Sequence, residues 1–180
     1  IELDTEQRKL YLAAVVDARE KLRAAKPEDK MAVFAVLMRL REICCDPRLI
    51  ADNWEGGSAK LDACMELVTA AVEGGHRILL FSQFTSMLDL LAKRLDEAGV
   101  SHFTLQGSTP KPVRAELVRR FNGGEAEVFL ISLRAGGTGL NLTAADIVIH
   151  YDPWWNVAAQ NQATDRAYRI GQRNPVQVYK

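Results

Sequence analysis

Residues 131–172 read ISLRAGGTGLNLTAADIVIHYDPWWNVAAQNQATDRAYRIGQ and decide the fold. An apolar run at 128–132 stops at the glycine-rich turn 136–139, and a second apolar run at 147–151 ends in the sequence DPWW at 152–155. Short apolar runs bounded by glycine and proline are typical of buried strands. The stretch therefore predicts two strands joined by a tight connection.

A polar segment with helical spacing follows and breaks at Gly171. Gln162, Arg166 and Arg169 are spaced i, i+4, i+7 and would share one face of a helix. Two guanidinium groups and an amide on one face suit the oxygens of a phosphate. Asp165 lies four residues before Arg169 and would brace it. A merely solvated charged face is the alternative.

The same alternation extends outward through the second half of the chain. Apolar runs predict strands at 77–82, 102–106, 127–132, 146–151 and 176–179. Amphipathic patterns predict helices at 84–98, 110–121 and 156–169. Continuous apolar strands that alternate with helices indicate a parallel sheet covered by helices on both faces. In such α/β sheets, ligands bind beyond the carboxyl ends of the strands.

The first part of the chain has helical periodicity only. We predict a helix at 5–25 capped by Thr5, and a second helix at 30–44 that ends before Pro47. Ser58 is placed to cap a third helix, which Gly74 and Gly75 would close.

A glycine-containing linker at 52–57 separates the helical part from the α/β part. We therefore predict a helical segment at 1–57 and an α/β lobe at 58–180. Because the chain begins within a pattern and ends within an apparent strand, we expect it to be a fragment of a longer protein.

Composition narrows the class of protein. The 180 residues include 23 Lys+Arg and 23 Asp+Glu, so a nucleic-acid site must come from a local patch. The three cysteines form no CxxC pair, which favours a reducing compartment. The histidines are scattered and predict no metal site. No apolar run reaches the length of a membrane span.

Several stretches resemble the Swi/Snf branch of superfamily-two helicase-like proteins. They are QATDRAYRIGQ, SLRAGGTGLNLTAAD, DPWWN, FSQF at 81–84, the block GST…R that begins at Gly107, S-x-K at 58–60, and LREICCDP at 40–47. The chain departs from the family pattern at Asp46, where histidine is usual, and at 156–160, which read NVAAQ in place of NPAVE.

The resemblance implies the second RecA-like lobe of such a motor, preceded by the end of its helical insertion. The chain contains neither a Walker lysine motif nor a DExx motif that follows a strand. ATP with Mg²⁺ would therefore be bound mainly by a missing first lobe, and no cofactor is expected in the isolated fragment. Arg166 and Arg169 would reach that ATP as arginine fingers, and Gln162 would orient them.

The resemblance also assigns binding residues. Those expected to contact DNA are Gln83, Gly107, Ser108, Thr109, Arg114, Ser132, Arg134 and Trp155. Those expected on the nucleotide side are Gly137, Gly139 and Asn141. From the residues alone, Ser108 or Thr109 could equally cap a helix, and Trp154 or Trp155 could pack beneath the final helix or stack on a base.

The implied protein is an ATP-dependent translocase stimulated by double-stranded DNA, whose partners are duplex DNA and the first lobe. We expect the fragment to be monomeric, inactive alone and not membrane-bound. The location would be cytoplasmic and nucleoid-associated in a prokaryote, or nuclear in a eukaryote. Two alternatives are a flavodoxin-like or Rossmann-like oxidoreductase domain, whose cofactor fingerprint is absent, and a non-catalytic interaction module derived from a motor lobe.

Overall fold

The computed structural model describes residues 1–24, 29–135, 140–153, 158, 161, 164, 165 and 175–180. The chain divides into two compact units, Ile1–Cys64 and Met65–Lys180. The helices are α1 Thr5–Ala24, α2 Lys30–Cys45, α3 Ala59–Glu73, α4 Thr85–Glu97 and α5 Lys111–Asn122. The strands are β1 Ile78–Ser82, β2 His102–Leu105, β3 Val128–Ser132, β4 Ile147–His150 and β5 Gln177–Tyr179.

In the first unit, α1 packs against α2, and capping residues set where the helices begin. The carboxylate of Asp4, rather than the predicted Thr5, accepts a hydrogen bond from the Gln7 amide at 2.7 Å. Thr5 is instead the first residue of α1. A carboxylate satisfies amide groups that have no partner within the helix and is favoured by its dipole.

Ser58 and Asp46 stabilise the turns that follow α2. The Ser58 hydroxyl donates to the carbonyl of Cys45 at 3.0 Å and lies 3.4 Å from the Leu61 amide at the start of α3. Asp46, where the family usually has histidine, is fully buried and accepts two hydrogen bonds from the Arg48 guanidinium. The Asp46 backbone amide ends α2 by donating to the Glu42 carbonyl, and its carboxylate caps the short 3₁₀ turn Pro47–Leu49.

The second unit is built on a five-stranded sheet in the order β2-β3-β1-β4-β5, and every strand pairing is parallel. The predicted fold class is confirmed. Strands β1, β3 and β4 are buried along their whole length, as their continuous apolar sequences predict. The boundaries differ from the predicted ones by one or two residues, the usual uncertainty at element ends.

Helical and loop segments cover the sheet. Leu79, Phe81 and Phe129 form a buried cluster with Phe121 of α5 and with Leu142 from the approach to β4. Since side chains alternate along a strand, the intervening residues of β1 and β3 face the other side, where α4 packs. Packing on both faces holds the strands in place. Because the strands are parallel, their carboxyl ends form one edge of the sheet.

Candidate functional site

Polar residues follow four neighbouring strands at the carboxyl edge of the sheet. Strands β1, β2, β3 and β4 end at Ser82, Leu105, Ser132 and His150. Because all the strands are parallel, the segments that follow them meet at this edge. The structure therefore brings three groups of predicted DNA-contacting residues to one edge, namely Gln83, the loop 107–109 and Arg134.

The turn after β1 is held by a buried carboxylate. Asp152, which is 3% exposed, accepts hydrogen bonds from the Gln83 amide at 3.2 Å and 3.0 Å. The Ser82 hydroxyl accepts a hydrogen bond from the Phe84 amide at 3.1 Å. Among the described residues, the buried side-chain amide of Gln83 finds no hydrogen-bond partner. A buried polar group without a partner is destabilising, and the role of Gln83 as a DNA contact stays a prediction.

The loop after β2 presents Gly107 and Ser108 to solvent. The Thr109 hydroxyl accepts a hydrogen bond from the Gln106 amide at 3.0 Å. The Arg114 guanidinium donates to the carbonyl oxygens of Thr109 and Gly107, each at 2.7 Å. Thr109 and Arg114 therefore fix the loop from within, and Gly107 and Ser108 form its accessible surface.

The segment after β3 separates a buried serine from an exposed arginine. Ser132 is 3% exposed, and its hydroxyl accepts a hydrogen bond from the Ala135 amide at 3.2 Å. Leu133 donates to the carbonyl of Ser82 at 2.9 Å, which ties this turn to the end of β1. Arg134 is exposed between these anchored residues. The structure thus places Ser132 within the turn and Arg134 on its surface.

Asn141 lies away from this group. Its main-chain carbonyl accepts a hydrogen bond from Asn122 at 2.8 Å, and the Asn122 side chain also accepts one from the Ala144 amide at 3.2 Å. Asn122 ends α5, which runs back toward the amino ends of the strands before β3 begins. The structure therefore does not bring Asn141 to the carboxyl edge, and its assignment to the nucleotide side stays a prediction.

The segment after β4 is anchored to the sheet by His150. Of the helix predicted at 156–169, the described residues Ala158, Asn161 and Thr164 are helical, whereas Asp165 lies in a turn. The Asp165 amide donates to the Asn161 carbonyl at 2.8 Å. The Thr164 hydroxyl lies 2.9 Å from Nε2 of His150. The remaining predicted site residues lie outside the described residues: Gln162, Arg166, Arg169, Gly137, Gly139, Trp154 and Trp155.

The environment of His150 favours a neutral imidazole. The ring is 2% exposed and stacks on Phe81 with centroids 5.5 Å apart. Burial, with a smaller contribution from the charge of Lys180, lowers the pKa of His150 from 6.5 to about 4. A neutral ring carries one donor and one acceptor nitrogen, so it can share a hydrogen bond with Thr164 without bringing a charge into the core.

The sequence interpretation missed three positioning residues, which are Asp152, His150 and Asn122. The sequence could have predicted a role for Asp152 and His150, because each is a polar residue at the end of an apolar strand, where ligands bind in such sheets. Asn122 carried none, because its two partners lie in a segment some twenty residues further along the chain.

The described part of the chain has no group of three His, Cys, Asp or Glu side chains placed to hold a metal ion. No helix within the described ranges has both the length and the apolar character that crossing a membrane requires.

Comparisons with known proteins place the chain in a family. Residues 59–171 match the helicase conserved C-terminal domain. A putative ATP-dependent helicase/translocase, YwqA of Bacillus subtilis, is 41% identical over 187 residues, which cover 100% of this chain and 20% of that protein. The mouse SWI/SNF-related matrix-associated actin-dependent regulator of chromatin subfamily A member 1 is 37% identical, covering 97% of this chain and 18% of its own length.

A solved structure shares the fold. The Sulfolobus solfataricus SWI2/SNF2 ATPase core in complex with dsDNA superposes with a TM-score of 0.85 and 30% identity, over 99% of this chain and 38% of that one. The chain spans only about a fifth of the length of the curated relatives described here. It belongs to the helicase conserved C-terminal domain family, in the Swi/Snf-type branch, and has the fold of that branch's C-terminal RecA-like lobe.

Proposed function

We propose that this chain is the second motor lobe of a longer ATP-dependent translocase that moves along double-stranded DNA. One observation carries the proposal. The exposed residues Gly107, Ser108 and Arg134 lie at the same edge of the sheet as His150, which anchors the segment that contains the predicted arginine fingers. DNA binding and ATP hydrolysis would therefore meet at one edge of one lobe.

On the DNA side, we propose that the lobe binds phosphates rather than bases. Gly107 lets the backbone approach closely, Ser108 offers a hydroxyl, and Arg134 supplies positive charge. Thr109, Arg114 and Ser132 would act indirectly, because their polar groups fix the two turns. Gln83 follows β1 at the same edge and remains a proposed contact of the duplex. Trp155 remains a proposed contact of the duplex.

On the nucleotide side, Arg166 and Arg169 would reach the terminal phosphate of ATP held mainly by the first lobe. Phosphoryl transfer to water depends on positioning and on positive charge placed where negative charge develops, and arginine supplies that charge. Gln162 would orient the arginines, while Gly137 and Gly139 would shape the approach. Asn141 lies away from the carboxyl edge and is not part of this proposal. Mg²⁺ would be bound by the first lobe together with the phosphates.

ATP turnover by the full-length protein and by this chain alone tests the proposal. We expect the full-length protein to hydrolyse ATP faster when duplex DNA is added. We expect this chain alone to show no turnover above background with or without duplex, because it has no Walker lysine. DNA-dependent turnover by this chain alone, or none by the full-length protein, would contradict the proposal.

A further inference from the structure

The end of β4 makes two anchoring contacts with different parts of the site. Asp152 accepts hydrogen bonds from the amide of Gln83, in the turn that faces the proposed DNA surface. His150, two residues earlier, contacts the hydroxyl of Thr164 at 2.9 Å. Thr164 lies between Gln162 and Arg166 in the sequence. One strand end therefore contacts both the proposed DNA-facing turn and the arginine-bearing segment.

We propose that His150 is a positioning residue for ATP hydrolysis. Through its hydrogen bond to Thr164, it would hold the segment that contains Arg166 and Arg169 in the orientation that hydrolysis requires. This inference rests on the proposed function of Arg166 and Arg169. It adds a residue that touches neither ATP nor DNA.

Helical periodicity supports this arrangement. At 3.6 residues per turn, each residue advances by about 100° around the helix axis. On a continuous helix, residues 162, 166 and 169 are predicted on one face, and Thr164 is predicted about 170° from the centre of that face. An anchor on the face opposite the predicted arginines would fix the rotation of the helical turn that contains Thr164.

The surroundings of His150 suit an anchor of this kind. The ring stacks on Phe81 of the neighbouring strand, which restricts its rotation. Burial keeps the ring neutral near pH 7 because the pKa lies at about 4. The hydrogen bond to Thr164 therefore persists through the physiological range. A hydrogen bond to a ring that is already held in place sets geometry at small cost, because the ring has little freedom left to lose.

Thr164→Val in the full-length protein tests the proposal, because valine keeps the shape of threonine and removes the hydroxyl. We expect kcat for duplex-stimulated ATP turnover to fall about fivefold to tenfold, the loss that one hydrogen bond accounts for. We expect KM for ATP and Kd for duplex DNA to stay within about twofold of wild type, because the anchor acts on transition-state geometry rather than on binding. Thr164→Ser, which keeps the hydroxyl, should restore kcat.

A double variant identifies the partner. If the hydroxyl acts through the histidine ring, Thr164→Val should add little to the kcat loss already caused by His150→Leu. Fully additive losses would overturn the proposal. An unchanged kcat in Thr164→Val would also overturn it. So would equal losses of kcat, ATP affinity and melting temperature in Thr164→Val and Thr164→Ser, since that pattern indicates a purely structural role.

Arg169→Ala separates this inference from the proposed function. If that variant loses turnover while Thr164→Val does not, only the role of the anchor is wrong. If Arg169→Ala turns over as wild type does, the proposed function is wrong, and the positioning role of His150 is wrong with it.

Discussion

Within the described residues, no neighbouring atom and no backbone strain requires a glycine at position 107. Its φ is outside the left-handed region, and a methyl group added at its Cα would meet no atom within 4 Å. Gly124 differs, since its φ is +92° and an added methyl group would collide with the guanidinium of Arg77. The fold requires glycine at 124, whereas at 107 an approaching phosphate would account for it.

Gly107→Ala should therefore affect binding rather than folding. We expect the stability of the chain to be unchanged or raised by up to about 1 kcal/mol, because alanine reduces the freedom of the unfolded state. In the full-length protein, affinity for duplex DNA should fall about threefold to tenfold, measured by fluorescence anisotropy at fixed salt.

Gly124→Ala is the matched control for Gly107→Ala. It should lose about 1 kcal/mol or more of stability because its backbone would be strained, and it should keep wild-type DNA affinity. Duplex affinity equal to wild type in Gly107→Ala would remove this loop from the DNA surface.

At the scale of elements, polar side chains at the strand ends fix the turns that follow by hydrogen bonds within the protein. Ser82 and Ser132 are paired in register at the ends of β1 and β3, and each hydroxyl accepts an amide hydrogen bond from the turn that follows. Arg114 braces the loop after β2, and His150 holds the segment after β4. The edge is therefore preorganised before any ligand binds, which favours tight positioning.

The buried His150 makes β4 sensitive to acid. Its pKa is lowered to about 4 in the folded chain, so between pH 6.5 and about 4 the unfolded chain binds a proton that the native chain does not. Stability is therefore complete above about pH 6.5 and falls as the pH drops toward 4. We expect this one group to account for a loss of about 2 kcal/mol between about pH 7.5 and about pH 5.

Urea unfolding of wild type and His150→Leu at the two pH values isolates that contribution. The leucine variant lacks the titrating ring, so its loss of stability on acidification should be smaller by about the same 2 kcal/mol. Equal losses in the two proteins would show that His150 does not resist protonation in the fold.

The sequence predicted the elements well because their signals are local. Continuous apolar runs gave β1, β3 and β4, and helical periodicity gave α4 and α5. The fold class followed from their alternation. The roles of individual polar residues were less predictable, because Arg114 and Ser132 are engaged with backbone groups whose positions depend on the folded loops. The cap of α1 is Asp4 and not the predicted Thr5. The sequence could not distinguish them, because both residue types suit that position.

At the scale of the whole molecule, no net charge attracts the chain to DNA. Its 23 basic and 23 acidic residues balance, so the proposed interface depends on a few groups at one edge of the sheet. The chain also covers only about a fifth of the length of the curated relatives described here. We propose that the remaining length includes the first lobe, and that closure of the two lobes on ATP brings the arginines to the phosphate.

ATP turnover by the full-length protein, with and without duplex DNA, in wild type and Arg169→Ala, tests this account most directly. Each tenfold loss of rate corresponds to about 1.4 kcal/mol of transition-state stabilisation, and an arginine finger typically supplies a factor of about a thousand or more. We predict duplex-stimulated turnover that falls by about that factor in the variant, with Kd for duplex DNA unchanged. Turnover that is unchanged by the substitution would contradict the account and would make the arginine face an ordinary solvated surface.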